Sequence, residues 1–212
     1  KMDRDLCVPV MDLGFELLED LIDFTSWKGR RLGPAKQRQW KRLFEYQKER
    51  VFHTPVMTPD GEVYWLDGGM PSGSGFTQII ESICSLIFAV FSSIYLGMIL
   101  YSARSLGDDC RMIVQGKPDI NQVALVYLLV FRMTLNVKKT KVRKAITLSG
   151  FLGYDFRNGY LWRETKEWFL MILYPEREVK SAEMTFSRLT AYMFLGGVND
   201  VKFTELYVKF QE

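Results

Sequence analysis

Two adjacent aspartates, Asp108 and Asp109, follow Gly107 near the middle of the chain. Residues 99–106 and 110–114 on either side are β-compatible, so the pattern predicts a hairpin with a tight turn at the acidic pair. Neighbouring carboxylates repel each other, and a bound divalent cation removes that penalty. Hard oxygen ligands suit Mg²⁺. The pair therefore predicts a cation site, although an ordinary surface turn can have the same sequence.

A loop rich in glycine and serine occupies residues 68–75, where four of the eight residues are glycine. Glycine permits close backbone approach and unusual dihedral angles. Ser72 and Gly73 could present a hydroxyl and main-chain amides to a phosphate or a ribose. Thr77 opens the following helix, whose N-terminus favours anions. The sequence lacks the glycine-lysine pattern of a P-loop, and a structural linker is the alternative interpretation.

Residues 82–103 form an uncharged run of 22 residues, bounded by Glu81 and Arg104. A run of that length is typical of a transmembrane helix, and it would make the chain a membrane-anchored interaction protein with a span at 82–103. A buried helix that continues into a strand gives the same pattern. The serines within the run, the loop before it and the acidic turn after it favour the buried helix.

The composition excludes several classes of protein. With 212 residues, of which 48% are hydrophobic and 25% charged, the chain can form a packed core and is not typical of disorder. The net charge of +3 is compatible with an anionic partner. Three cysteines without CxxC spacing and a single histidine, His53, argue against a zinc knuckle, a disulfide scaffold and a multi-histidine metal site.

Hydrophobic periodicity and turn residues predict a mixture of helices and hairpins. Amphipathic helices are expected at 10–26 and 121–135, hairpins at 51–66 and 146–154, and a mostly helical region from Arg163 onward that breaks at Tyr174-Pro175.

A basic stretch with interleaved aromatic residues spans residues 28–50. Two interpretations remain open for it. It is either a solvated helix face with an aromatic anchor, or a surface that contacts phosphates.

Two motifs together resemble a known family. The spacing Ser72-Gly73-x3-Thr77-x3-Glu81-Ser82, followed about 25 residues later by Gly107-Asp108-Asp109, resembles motifs B and C of viral RNA-dependent RNA polymerases. Residues 68–78 are most similar to the partitivirus branch of double-stranded RNA viruses. The strings Phe151-Leu152-Gly153-Tyr154 and Leu173-Tyr174-Pro175-Glu176 support the resemblance.

The resemblance implies an α+β fold, the right-hand polymerase palm, in which an antiparallel sheet is backed by helices. The palm, with motifs A to D, would occupy residues 1–145. Motif E and the beginning of a mostly helical thumb would occupy 146–212, with residues 149–154 supporting the primer end. The implied activity is template-directed nucleotidyl transfer by a two-metal mechanism.

The resemblance also implies roles for single residues. Asp108 would ligate both of two Mg²⁺ (or Mn²⁺) ions, with Asp109 as a weaker contributor. Ser72, Gly73 and Thr77 would lie against the incoming nucleotide and the template-product duplex. Glu81 stands where the wider family has an asparagine that recognises the ribose. Asn136 and the lysines of residues 138–141 match motif D, and Lys139 is the expected proton donor to the leaving pyrophosphate, with a phosphate-solvating surface run as the alternative.

Motif A matches only in its second half. Asp5-Leu6-Cys7-Val8-Pro9 resembles the end of that motif, so the first metal-binding aspartate is expected one position before Lys1. We therefore expect Asp5 to contribute to nucleotide binding and the chain alone to be inactive. A reverse transcriptase is a further alternative, but its usual aromatic-x-Asp-Asp turn is replaced here by Ser105-Leu106-Gly107 before the pair.

The expected partners follow from the same resemblance. They are an RNA template with its product duplex, nucleoside triphosphates and a viral capsid protein, with no membrane. The expected location is the host cytoplasm, within the virus particle.

Overall fold

A computed structural model of the chain describes residues 6–71, 73–116, 118–144, 150–157 and 159–211. The chain divides into two compact units, Lys1–Thr140 and Lys141–Glu212. Among the described residues, seven α-helices alternate with short antiparallel sheets. The predicted α+β class is therefore confirmed.

The first unit contains four helices and three hairpins. The helices are α1 (Val8–Leu21), α2 (Pro34–Phe52), α3 (Thr77–Tyr95) and α4 (Ile120–Phe131). The hairpins pair β1 (Ser26–Trp27) with β2 (Arg30–Arg31), β3 (His53–Met57) with β4 (Val63–Asp67), and β5 (Ile99–Leu106) with β6 (Asp109–Gln115). A proline in the first turn of α1 and of α2 favours helix initiation there, since the fixed φ of proline suits a helix start.

The core of the first unit is built mainly from helices α1 to α4 around an aromatic cluster. The ring of Phe15 on α1 is fully buried and lies 5.9 Å from Phe44, 5.5 Å from Phe52 and 5.4 Å from Phe76, centroid to centroid. Separations of this size are favourable for edge and tilted aromatic pairs. Ile80, Cys84 and Phe88 of α3 belong to the same core. This packing holds α3 in place, and α3 carries the residues that bind the acidic turn.

The uncharged run divides into two elements. Helix α3 ends at Tyr95, Gly97 adopts a left-handed φ of +65°, and β5 begins at Ile99, so residues 82–103 do not form one helix. By length and composition alone, α3 could cross a membrane. Its buried face, however, includes Glu81, Ser85, Ser92 and Ser93. Polar side chains buried against the rest of the unit are typical of a core helix. The prediction of a helix followed by a strand is confirmed.

Several element boundaries differ from those predicted. Val51 and Phe52 complete α2 rather than the first arm of the hairpin. Helix α4 ends at Phe131 instead of residue 135, because Arg132 adopts a left-handed φ of +55°. The predicted antiparallel palm sheet is present as separate small sheets within the described residues, and β5–β6 is the longest of these hairpins.

The second unit pairs a small sheet with three helices. Strands β7 (Gly150–Phe151), β8 (Tyr154–Arg157) and β9 (Tyr160–Trp162) form an antiparallel sheet, followed by α5 (Thr165–Leu173), α6 (Ala182–Phe194) and α7 (Val201–Lys209). The helices pack around Trp168, Leu189 and Phe203. The helical region after Arg163 and the break at Tyr174-Pro175 are confirmed. Residues 145–149, where the predicted hairpin begins, lie outside the described residues.

Candidate active site

The acidic pair lies at the tip of the β5–β6 hairpin. Leu106 pairs with Asp109, so the connection consists of Gly107 and Asp108 alone, and Asp109 is the first residue of β6. Gly107 has a φ of +61°, a value that glycine adopts without strain. Both carboxylate-bearing residues are exposed. The predicted three-residue connection is thus one residue shorter, and the two aspartates occupy consecutive turn and strand positions.

Helix α3 holds this turn through three hydrogen bonds. The Gly107 amide donates to Ser82 Oγ over 2.8 Å, and the Ser85 hydroxyl donates to the Gly107 carbonyl over 2.8 Å. The Ser105 hydroxyl, on β5, donates to the Ser82 carbonyl over 2.6 Å. Both main-chain polar groups of Gly107 are therefore satisfied by serines of one helix. We call this set of bonds the serine latch.

Glu81 lies next to the same turn. It is buried on α3, and a Cβ placed on Gly107 would come 3.5 Å from Glu81 Oε2. The sequence therefore brings Glu81 and the acidic pair into one neighbourhood, although they are separated by more than twenty residues. This juxtaposition is expected if the helix after the loop and the acidic turn serve the same site.

The glycine-serine loop precedes this helix directly. The Thr77 hydroxyl donates to the Pro71 carbonyl over 2.6 Å, so it closes the loop onto the start of α3. Gly73 is exposed, with a φ of +91° and open space where a side chain would project. The loop therefore offers main-chain approach at Gly73. Ser72 and Asp5 lie outside the described residues.

Lys139 acts electrostatically on the acidic pair. Burial raises the pKa of the Asp109 carboxyl, the negative charge of Asp108 raises it further, and the positive charge of Lys139 opposes the rise. The Lys139 backbone is held in a turn, where its amide donates to the carbonyl of Asn136 over 3.1 Å and to its Oδ1 over 3.2 Å. Lys139 is therefore near enough to the acidic pair for its charge to favour the ionised form of Asp109.

The donor set fits a divalent cation that is also bound by a substrate. Asp108 and Asp109 provide adjacent hard oxygen ligands whose mutual repulsion a cation would relieve. Within the described ranges, no cluster of three or more histidine, cysteine, aspartate or glutamate residues could hold a metal. Mg²⁺ is commonly bound by one or two carboxylates together with substrate phosphates. The pair matches that pattern and does not match a metal cage made by protein alone.

Sequence reasoning did not identify the serine latch. Ser85 and Ser105 are not among the predicted site residues, and Ser82 enters the predictions only through the motif spacing and the serines of the uncharged run. The available signal was the presence of serines at i and i+3, Ser82 and Ser85, on one side of an otherwise apolar helix. Their partner on the turn depends on tertiary packing.

Comparison with known proteins gives the family and the fold. A family model described as viral RNA-dependent RNA polymerase matches residues 2–211. The RNA-directed RNA polymerase of White clover cryptic virus 1 is 21% identical over 169 residues, which cover 75% of this chain and 27% of that protein.

Two solved structures of the RNA-dependent RNA polymerase of a human picobirnavirus share the fold. One superposes with a TM-score of 0.74 and the other, an insertion loop deletion mutant, with 0.70, each at 20% identity. They match 99% of this chain, which spans only 40% and 39% of their length. A family match over nearly the whole chain, together with this fold, shows that the chain belongs to the viral RNA-dependent RNA polymerase family.

Proposed function

We propose that the chain carries the catalytic residues of an RNA-directed RNA polymerase, which joins nucleoside triphosphates to the 3′ end of an RNA strand on a template. The observation that carries this proposal is the exposed Asp108-Asp109 pair, held by the serine latch on the helix that follows the glycine-serine loop. In this arrangement, one helix connects a carboxylate pair that can bind a cation with a loop whose main chain can bind a nucleotide. Family membership favours this activity over a reverse transcriptase or a membrane-anchored interaction protein.

Members of this family generally use divalent metal ions. We propose that Asp108, with Asp109 as a weaker contributor, holds two Mg²⁺ or Mn²⁺ ions. When bound, such ions stabilise the negative charge that develops on the attacking and leaving oxygens of an in-line displacement. The first aspartate of motif A, expected before Lys1, would add a further ligand.

The remaining site residues position the substrates in this proposal. The exposed main chain at Gly73 approaches the incoming nucleotide or the duplex, with Ser72 beside it, and Thr77 keeps the loop closed. Glu81 would contact the ribose of the nucleotide, a role supported by the nearness of its carboxylate to Gly107. Asp5 contributes to the same nucleotide from motif A.

Lys139 is the proposed general acid. As the 3′-oxygen forms its bond to the α-phosphorus, the bond to the pyrophosphate oxygen breaks, and Lys139 donates a proton to that oxygen. This role is supported by the influence of the Lys139 charge on Asp109 and by its position in the basic turn that resembles motif D.

The partners in this proposal are an RNA template, the product duplex and nucleoside triphosphates. A capsid protein and a location inside particles in the host cytoplasm are also proposed. Both follow only from the resemblance of the motifs to polymerases of double-stranded RNA viruses.

Two measurements test the proposed function. In the 212-residue chain, Asp108→Asn should weaken Mn²⁺ binding measured by electron paramagnetic resonance, whereas Asp60→Asn should not. Asp60 is a matched control because it is an exposed aspartate in another hairpin turn, without an adjacent carboxylate. In the complete viral protein that carries this sequence, Asp108→Asn should abolish primer extension in Mg²⁺. Full synthesis by that variant would refute the proposal.

A further inference from the structure

The surface of the first unit carries a stacked pair of tryptophans. Trp27, at the end of β1, stacks on Trp40 of α2 with ring centroids 5.5 Å apart and planes inclined by 22°. Trp27 remains 55% exposed, although an indole gains more from burial than from contact with water. The Trp27 ring therefore presents an aromatic surface to the solvent, and the Trp40 ring against which it packs belongs to α2.

Three cations surround this aromatic surface. Lys28 Nζ lies over the Trp27 ring, 5.9 Å from its centroid. Arg30 is the direct cross-strand partner of Trp27, so the two side chains share a face of the hairpin. Lys36 lies one helical turn before Trp40 on α2. All three cations are exposed. We call this group of two tryptophans and three cations the Trp27 platform.

The cations of the platform differ from two lysines further along α2. Lys41 pairs with Glu19 over 3.6 Å, and Lys48 pairs with Asp12, so α1 neutralises both. Lys28, Arg30 and Lys36 form no ion pair within the part of the chain that the structure describes. These three cations therefore lack the carboxylate partners that Lys41 and Lys48 have on α1. Asp23, next to the hairpin, accepts hydrogen bonds from Thr25 and Ser26 instead.

The hairpin turn places one of these cations at its apex. Lys28 has a φ of +51° and Gly29 a φ of +74°, which together form the two-residue connection between β1 and β2. A left-handed φ is unfavourable for lysine, and asparagine or glycine is usual at this place. Lys28 therefore occupies a turn position next to Trp27 whose left-handed backbone conformation favours asparagine or glycine.

We propose that the Trp27 platform binds single-stranded RNA outside the catalytic turn. A base replaces the Lys28 ammonium over the Trp27 ring and extends the Trp27–Trp40 stack, and the neighbouring phosphates lie against the displaced Lys28 and against Arg30 and Lys36. Aromatic stacking combined with a cationic surface is how proteins bind single strands with little sequence preference. An acidic peptide would satisfy the cations but would leave the indole face without a partner. This inference rests on the proposed function, since that function supplies RNA as the partner.

The test measures binding of a short fluorescein-labelled oligouridine to the 212-residue chain by fluorescence anisotropy, in EDTA, so that divalent ions at the acidic turn make no contribution. Trp27→Ala should weaken binding about tenfold because one stacked base is lost. Arg30→Gln should weaken binding and lower the slope of log affinity against log salt by about 0.7. Binding should also quench indole fluorescence in the unmodified chain, and this quenching should decrease in Trp27→Phe.

Two controls make the test specific. Trp65→Ala removes another exposed tryptophan of the same unit, which has a single arginine, Arg50, 5.7 Å from its ring centroid. Lys41→Gln removes a cation that Glu19 already pairs. Both variants should bind the oligonucleotide as the unmodified chain does. Equal losses in Trp65→Ala and Trp27→Ala, or no loss in Trp27→Ala, would overturn the proposal.

Two further outcomes separate this inference from its rivals. A polyglutamate peptide that binds as tightly as the oligonucleotide, and equally well to Trp27→Ala, would overturn it in favour of an acidic protein partner. Primer extension by the complete protein tests the catalytic role of Asp108, whereas the dependence of oligonucleotide binding on Trp27 tests the platform. Either result can therefore fail without the other. If Trp27→Ala does not fold by circular dichroism, Arg30→Gln and the quenching in Trp27→Phe decide the question.

Discussion

The Ser85 hydroxyl donates a hydrogen bond of 2.8 Å to the main-chain carbonyl of Gly107, from a position at which the serine is almost completely buried. The carbonyl belongs to the residue immediately before Asp108, so the bond fixes the backbone from which the carboxylate projects. A buried acceptor that loses its donor pays its full desolvation cost. The geometry of the acidic turn therefore depends on a side chain of the preceding helix.

Ser85→Ala tests this dependence. The variant should lower the free energy of unfolding by about 1–3 kcal/mol, since the Gly107 carbonyl loses its buried donor. If the complete protein is a polymerase, the variant should also require a higher Mg²⁺ concentration for half-maximal synthesis. Ser93→Ala is the matched control, because Ser93 is equally buried but donates to Ala89 within its own helix. An equal change in the Mg²⁺ requirement of both variants would contradict a positioning role.

Gly107→Ala tests the turn itself. Alanine at a φ of +61° should cost about 1–2 kcal/mol of stability, and its Cβ would contact Glu81 Oε2 at 3.5 Å. Gly97→Ala provides a control with a similar φ of +65° and no atom within 4 Å of the new Cβ. Urea unfolding should show comparable losses for the two variants, whereas Mn²⁺ affinity should fall in Gly107→Ala alone. Unchanged Mn²⁺ affinity in Gly107→Ala would show that cation binding does not depend on the conformation of this turn.

The acidic hairpin could be predicted from sequence because its signals are local. β-compatible segments flank a glycine and two aspartates, and the strands Ile99–Leu106 and Asp109–Gln115 lie close to the predicted limits. The predicted length of the connection was wrong by one residue, because Asp109 belongs to the strand and not to the turn. The pairing of Leu106 with Asp109 decides this, and pairing register depends on the whole hairpin.

The serine latch could not be predicted in the same way. Ser85 and Gly107 are 22 residues apart, and their contact depends on how α3 is rotated about its axis and how it packs on β5. Helical periodicity places Ser82 and Ser85 on one side of α3 but does not identify the partner of that side. The end of α4 was also unpredictable, because Arg132 adopts a left-handed conformation without the glycine that usually signals one.

Lys139→Gln tests the proposed general acid. In the complete protein, the rate of single-nucleotide incorporation should fall about 10²-fold or more, the range expected when a positioned proton donor is lost. Lys138→Gln is the matched control and should change the rate much less, because the proposal gives the proton transfer to Lys139 and not to its neighbour. Rapid-quench measurements of a single turnover separate this step from product release. Similar rates for the two variants would indicate that the lysines only solvate phosphates.

Asp200→Ala tests the stability of the second unit. The Asp200 carboxylate caps α7 by accepting from the Phe203 amide over 2.9 Å, and it also accepts from the Thr165 hydroxyl. Loss of both bonds should lower the free energy of unfolding of this unit by about 2 kcal/mol. Asp200→Asn keeps an oxygen that can cap the helix and should lose about half as much. Thermal unfolding followed by circular dichroism would detect the difference, and equal losses would show that the cap contributes little.

The buried thiol of Cys84 should make stability fall at alkaline pH. Burial raises the pKa of Cys84 from its ordinary value of 9.0 to about 12, and the negative charge of Glu81 adds to this rise. Because the unfolded chain releases the thiol proton near pH 9 while the folded chain keeps it, the stabilising contribution is complete below pH 9 and is lost as pH rises towards 12. The expected slope is at most about 1.4 kcal/mol per pH unit for this one group.

Two measurements test this expectation. In Cys84→Ala, the free energy of unfolding in urea should depend less steeply on pH between pH 9 and pH 12. The Cys84 thiol should react with iodoacetamide in urea but hardly at all in the folded chain. Rapid alkylation of Cys84 in the folded chain at pH 8 would contradict the burial on which this pH dependence rests.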